Sequence, residues 1–492
     1  MTSGVPQDRT ATIFGENPLL AGLAPYCTLK EMPKRMLREP LAKTNWRELT
    51  PALREPLLER IRDHFFPTSD AICIAMAIQN ATFESLRMRN PASPAERART
   101  NRLITLTGKE SETEFRPLES PVAGGMVLAE TGLGKTAILK VSLSAIAPEK
   151  VIHHGLSEKH DWARLLQIAY LYIDLPANST PWALCLSLAG AIDALLGTEY
   201  AKDVARSRNA DIAMYQVCKY ILMHRVGCVV IDESQDESFD ENRSWGGVFI
   251  KYFKRLLNFG VPVVLSGHPD AFAQLMPSGQ LGRRFSGIGR FELVRAVDRS
   301  APWWDTVFTV GVMRFCLVES IRDTDAVKAR LSYLSAGVPD FFCVLWKEAQ
   351  RIALRRDGSM AELSVEDVDA ATRSPGFQAL SEMAVWLDAD EPTPGLYTDL
   401  TPKPSTSKEG GVLPPAGQRR AQTQVPDAVK KLRDSEKRAE KARSAREKAI
   451  NLSNGLSEGD LRKAAASVSE SESGLEGLVQ GSLDLTKPSS DV

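Results

Sequence analysis

Four short stretches of this chain carry residue types that together could handle a nucleoside triphosphate. The first is "AETGLGKTAILK", residues 129–140. Ala129, Glu130, Thr131, Gly132, Leu133, Gly134, Lys135 and Thr136 have the spacing of a phosphate-wrapping loop, with Ala129 where glycine usually stands. The amides from Thr131 to Lys135 would converge on phosphate oxygens, helped by the dipole of the helix that follows. Gly132 and Gly134 would allow close backbone approach. Lys135 would reach the β- and γ-phosphates of ATP, and the Thr136 hydroxyl would hold Mg²⁺. The second stretch, "GCVVIDESQ", ends an apolar run on Asp232 and Glu233. Two carboxylates at a strand tip suit the same chemistry, Asp232 for the metal and Glu233 to polarise the attacking water. The third, "VPVVLSGHPDAF", puts Ser266 at another strand tip, where a hydroxyl would place that water. The fourth, "QLGRRF", sets Arg283 and Arg284 before a further strand; such an arginine would point away from its own nucleotide and complete a neighbouring subunit's site as a finger. Arg284 is the favoured one of the pair.

These residues need a frame. Residues 119–300 alternate short apolar runs ("GGMVLA", "LQIAYLYIDL", "GCVVIDES", "VPVVLSGHP") with longer amphipathic ones, the pattern of a buried parallel sheet between helices. The expected fold is therefore α/β: a P-loop core with a five-stranded, mainly parallel sheet and helices on both faces. Residues 1–118 read as a mostly helical N-terminal region, with an amphipathic helix expected over "LREPLLERIRDHFF" (53–66). Residues 301–388 read as a helical lid. Residues 389–426 are rich in Pro, Gly, Ser and Thr and read as a disordered linker. Residues 427–492 form a charged and then acidic tail.

Bulk properties limit the alternatives. A formal net charge of -1 over 492 residues excludes a generally basic protein, so any nucleic-acid site must be a local patch. Seven cysteines without a C-x-x-C pair argue against a zinc knuckle or a disulfide scaffold. No apolar run has the length of a membrane span, and the N-terminus lacks a signal-peptide pattern. A cytoplasmic protein without membrane contact is expected. His153, His154 and His160 cluster without an acidic or thiol partner and read as a surface turn. His268 reads as structural, Trp303 and Trp304 as core or lid hinge, and the basic run 430–448 as a solvated segment.

The set as a whole resembles the AAA+ ATPases. More closely, residues from about 15 to 385 resemble the TnsC/TniB transposition regulators of Tn7-like transposons. The resemblance rests on "GENPLLAGLAP", "AETGLGKTAIL", "IAYLYIDLPANSTPWAL", "CVVIDESQD", "PVVLSGHPDAFAQL", "GQLGRRF" and "SAGVPDFFCVLWKEAQRIAL", in that order. It implies an ATPase that uses hydrolysis as an assembly and disassembly switch. It implies a homo-oligomer, ring or helical filament, on duplex DNA, joining a TniQ/TnsD-type target selector to a DDE-type transposase. The N-terminal region would meet the selector, and the C-terminal end the transposase. It further implies DNA contacts at "PANSTPW" and "GTEYAK", hence Asn178, Ser179, Thr198 and Lys202. One departure stands out: Asp340 occupies the place where the lid often supplies a second sensor arginine. A helicase-loader or chaperone-type AAA+ protein that remodels a protein partner is the alternative reading.

Overall fold

The computed structural model describes residues 9–105, 122–160, 162–176, 180–207, 209–234, 246–269, 283–357, 360–389, 392–393, 396–397 and 400–401; the side chains of 103–105, 233–234 and 246–251 are not described. The chain divides into a unit Met1–Ser405 and a unit Thr406–Val492. The second unit lies wholly outside the described residues, and with it the expected charged tail and most of the linker.

Seven strands matter for the site: β1 (Gly125–Ala129), β2 (Val151–His154), β3 (Leu165–Ile168), β4 (Tyr170–Asp174), β5 (Cys228–Ser234), β6 (Val263–Gly267) and β7 (Gly289–Leu293). Five of them form one sheet in the order β4-β5-β6-β1-β7, and every neighbouring pair is parallel. The strands are Val- and Ile-rich because both faces are covered: every residue of β1 and β6 is buried. On one face Val127, Val230 and Val264 pack with Leu139 and Leu143 of the helix Lys135–Ile146. On the other, Leu128, Ile231 and Leu265 pack with the helices Pro181–Leu196, Ala210–Met223 and Gly246–Asn258.

The run "LQIAYLYIDL" is not one strand, as its apolar pattern had suggested. It breaks at Ala169, whose amide donates to Lys150 O at 2.8 Å. Before the break, β3 pairs antiparallel with β2; after it, β4 joins the sheet beside β5. An apolar run identifies a strand but not its partner. His153 and His154 accordingly lie in a hairpin strand rather than a turn.

The N-terminal residues wrap the same core. The helix Ser69–Met88 is capped by Thr68, whose Oγ1 accepts from the Ala71 amide, and its buried Ile74, Ile78 and Phe83 join the cluster around the helix Lys135–Ile146. The stretch 53–66 is a short α turn, Pro51–Arg54, followed by a 3₁₀ segment, Glu55–Asp63. Leu58 and Ile61 are buried as expected, but Leu53 is 58% exposed. Pro56 removes an amide inside what would be the α-helix, and the chain tightens to bury Arg54, which donates to Glu319 Oε1, Leu49 O and Arg47 O at 2.8 Å each.

The C-terminal helices Thr324–Leu334, Pro339–Asp357, Val365–Ala371 and Gln378–Asp388 pack through Leu331, Phe342, Trp346 and Leu387. Trp304 is fully buried and Trp303 only half-buried, so the tandem pair divides between core and surface. Gly337 turns the chain into the helix Pro339–Asp357 with φ +68, and its carbonyl accepts from Ala296 N at 3.0 Å. A Cβ there would stand 2.1 Å from Ala296 O. Gly337→Ala is therefore expected to destabilise the protein by roughly 2 kcal/mol or more, from left-handed strain plus a backbone clash. Chemical denaturation of wild type and variant checks this, and equal midpoints would mean that the turn relaxes without cost.

Candidate nucleotide site

Strand alternation brings the chemical residues to one place. In β5, Cys228 and Val230 face the helix Lys135–Ile146, so Asp232 does too; in β6, Val264 and Ser266 share that face. The register of β5 against β6 shifts between Ile231 and Ser234, a bulge at the tip that carries Asp232 and Glu233. β6 lies between β5 and β1, so Ser266 stands between the acidic tip and the phosphate loop. All three reach the carboxy-terminal edge of the sheet, where open parallel sheets bind ligands.

Asp232 is completely buried. Its Oδ2 accepts from Thr136 Oγ1 at 2.7 Å and from Tyr172 OH at 2.5 Å. Burial, and then the Asp232 carboxylate itself, push the Tyr172 phenol far above the usual tyrosine value, so it stays protonated and remains a donor. The sequence reading missed Tyr172. Its signal was available: in "YLYID", Tyr172 occupies the same face as Asp174, and Asp174 is in register with Asp232.

The loop between β1 and the helix holds Gly132 at φ +81 and Gly134 at φ +82. A Cβ at Gly134 would meet nothing within 4 Å, so this side of the loop is open. Thr136 lies in the first turn of the helix that begins at Lys135, and Ala129 ends β1. Ser266 Oγ is buried and has no hydrogen-bond partner among the described residues. A buried carboxylate and a hydroxyl in contact, a second hydroxyl left open and an amide-lined helix start make a hard-oxygen donor set that fits a magnesium-bound polyphosphate.

Beside the loop lies a cavity of about 520 Å³. Gly132, Leu133, Gly134, Ala137 and Ile138 form one wall; Phe65, Phe66 and Thr68 of the N-terminal region form another; Trp303, Phe308, Pro339, Asp340 and Val344 close it. Its lining is mainly apolar, with Arg62, Asp70 and Lys347 at the edge, which suits a planar base and a sugar. The lid touches the loop directly. Asp340 N donates to Gly132 O at 3.0 Å, and a Cβ on Gly132 would stand 2.8 Å from Val338 Cγ1. Desolvation raises the Asp340 carboxyl above the ordinary aspartate value, against the pull of Arg62 and Lys347. Among the described residues that line the cavity, Arg62 is the one arginine. The N-terminal wall is fastened to the lid helix: Arg351 Nη2 donates to Glu59 Oε1 at 2.7 Å, and Lys347 Nζ to Glu59 Oε2 at 3.2 Å.

The other expected residues fall elsewhere or unseen. The Glu233 side chain, Asn178 and Ser179 lie outside what is described. Glu130 Oε2 accepts from the Thr401 amide at 3.1 Å. Arg283 is exposed, and Arg284 Nη1 donates to Asn258 Oδ1 at 2.7 Å. Thr198 Oγ1 donates to Asp193 Oδ1 at 2.6 Å, and Lys202 pairs with Glu199. Among the described residues no group of three His, Cys, Asp or Glu could hold a metal, and no helix is long and apolar enough to cross a membrane.

Residues 123–276 match the family described as "AAA domain", about the span from β1 to just beyond β6. The fold is that of a P-loop AAA+ core. No curated protein matches the chain. Among solved structures, the Aeropyrum pernix ORC1 protein in complex with DNA is 17% identical over 57% of this chain and 68% of its own, with a TM-score of 0.35. Cdc6p from Pyrobaculum aerophilum is 13% identical over 57% of this chain and 67% of its own, with a TM-score of 0.35. The FIGL-1 AAA domain in complex with ADP is 14% identical over 60% of this chain and 86% of its own, with a TM-score of 0.29. Likenesses this distant carry no argument about what this chain binds.

The site geometry makes one prediction for Tyr172. Tyr172→Phe leaves the buried Asp232 with one donor fewer and is expected to cost about 1.5–3 kcal/mol of stability. A denaturation midpoint equal to that of wild type would contradict the Tyr172–Asp232 bond.

Proposed function

We propose that this chain is an ATP-dependent regulator of DNA transposition, which assembles on duplex target DNA and joins a target selector to a transposase. The observation that supports an ATP site most is the contact of Thr136 with Asp232 at the edge of a sheet whose central strands carry the phosphate loop and Ser266. The transposition reading rests on the series "CVVIDESQD", "PVVLSGHPDAFAQL" and "GQLGRRF".

In this reading the loop from Ala129 to Thr136 binds the phosphates of ATP through its amides, and Lys135 supplies the cation. The base enters the cavity between the N-terminal wall and the lid. Magnesium, when bound, would neutralise charge on the β- and γ-phosphates, with Thr136 and Asp232 as its holders. Glu233 orients and deprotonates the attacking water, and Ser266 positions it. Arg284, released from Asn258, reaches the nucleotide of an adjacent copy. The lid meets the loop through the Asp340 amide on Gly132 O, with an aspartate rather than a guanidinium at this point, and the adjacent copy's arginine becomes the main external cation. Hydrolysis then acts as a switch between the assembled and released states.

Two outcomes follow. Glu233→Gln is expected to retain nucleotide affinity and lose hydrolysis by at least about a hundredfold; ordinary turnover in the variant would remove Glu233 from its role. Labelled random-sequence duplex DNA is expected to gain fluorescence anisotropy with full-length protein and a slowly hydrolysed ATP analogue, steeply with concentration, and not with ADP. Absence of binding in every nucleotide state would favour the protein-remodelling alternative.

A further inference from the structure

A second concave site lies at the opposite edge of the sheet. Ile168 N donates to His224 O at 2.9 Å and Gly227 N to Ile168 O at 3.1 Å, where β4 and β5 begin. Around this junction the helix Pro94–Thr105, the β2–β3 hairpin and the end of the helix Ala210–Met223 enclose about 370 Å³. The side chains that give it chemistry are Arg97, Arg164, Arg225, His160, His224 and Trp162. The nucleotide site at the carboxy-terminal edge uses none of them.

Its electrostatics are one-sided. Arg97 donates to the carbonyls of Pro91, Ala92 and Lys159 and, among the described residues, to no carboxylate. Arg164 is exposed and has no ion pair among the described residues. Behind the wall, Glu96 is the acid that Arg99 and Arg225 share, at 2.7 and 2.8 Å. The fully buried Arg89 adds a third guanidinium, bound to Ser85 Oγ and Val226 O at 2.6 Å each. Arg89 Nη1 and Arg99 Nη1 are buried without a partner among the described residues. Two guanidinium groups on one carboxylate, with a third buried close enough to feel it, is a costly surplus in a protein interior. Burial first, then Arg99 and Arg225, pull Arg89 down to about 9 against the attraction of Glu96. His160 is lowered by burial and then by Lys159, Arg97 and His154, the sign of a positive field at the mouth. Glu158 on the hairpin is exposed, as is Glu16, 4.0 Å from Lys159. Asp161 lies outside the described residues.

The same mouth carries an aromatic platform. The His160 ring stacks on Trp162 with centroids 5.0 Å apart and planes at 23°. Ser157 Oγ holds His160 Nδ1 at 2.6 Å, and the indole NH donates to Gly155 O at 3.0 Å, so both rings are fixed. Fixed π-faces flanked by Arg97 and Arg164, which meet no carboxylate among the described residues, suit a phosphodiester with an unpaired base, whereas an acidic peptide would use the charges alone. We propose that this pocket binds a single-stranded segment of nucleic acid, its phosphates on Arg97 and Arg164 and one base against the Trp162–His160 stack. The inference deepens the DNA-bound reading and rests on it for the class of ligand. It is a site separate from Thr198 and Lys202, which bond to Asp193 and Glu199.

The test titrates full-length protein against labelled oligothymidine without nucleotide, and in parallel against random duplex DNA with the ATP analogue. Arg164→Glu, a change at an exposed side chain, is expected to weaken oligothymidine binding about tenfold or more and to reduce the slope of log affinity against log salt by about 1. Trp162→Leu is expected to weaken it about fivefold or more, with less change in that slope. Wild-type affinity for oligothymidine in both variants would overturn the proposal, as would no binding by wild type, or equal displacement of the strand by polyglutamate at matched charge. Strand binding that depends on Arg164 while duplex binding is absent in every nucleotide state supports the pocket and counts against the regulator reading alone.

Discussion

The carboxylate of Asp232 is the group around which the candidate nucleotide site is built. It is completely buried at the tip of a central strand, and a buried charge survives only when donors surround it. Thr136 and Tyr172 provide them from two directions. Thr136 belongs to the first turn of the helix after the phosphate loop, so the hydrogen bond that satisfies Asp232 also fixes where that helix begins. Tyr172 comes from the edge strand β4, so the same carboxylate fixes the order of strands at this rim. Ser266, between the two, keeps its hydroxyl free among the described residues. Stability and chemistry therefore compete for the same atoms: the bonds that hold the resting site are those a metal and phosphates would rearrange.

The second constraint is the coupling of the loop to the lid. Gly132 lies under Val338 and accepts from the Asp340 amide, leaving no room for a side chain. Glu59 and Glu55, paired with Arg351 and Arg355 of the lid helix, tie the N-terminal wall to the same body. A base in the cavity would touch the core, the N-terminal region and the lid at once. In the proposed reading, occupancy would bear on the lid through these contacts, with an aspartate rather than an arginine at 340.

Much of this was legible in the sequence, and the reasons are local. The phosphate loop, the acidic strand tip and Ser266 could be read because each ends a short Val- and Ile-rich run, and strand ends of a parallel sheet gather at one edge. Tyr172 was missed because an aromatic inside an apolar run looks like core until its register against Asp232 is known. The cavity walls at Phe65, Phe66 and Trp303 were missed because they come from segments far apart in the chain. The stretch 53–66 was misread because helical spacing outweighed Pro56 and the burial of Arg54. The break at Ala169 was invisible because periodicity does not name a strand's partner. The basic pocket was missed because its arginines are spread from 89 to 225, and an overall charge of -1 conceals them.

Hydrogen–deuterium exchange of the full-length chain, with and without a slowly hydrolysed ATP analogue and magnesium, tests the central claim most directly. A nucleotide site shared by the sheet edge and the lid predicts that amides 131–136 and 338–342 gain protection together, over the same range of analogue concentration. Protection of the phosphate loop with unchanged exchange at 338–342 would contradict it.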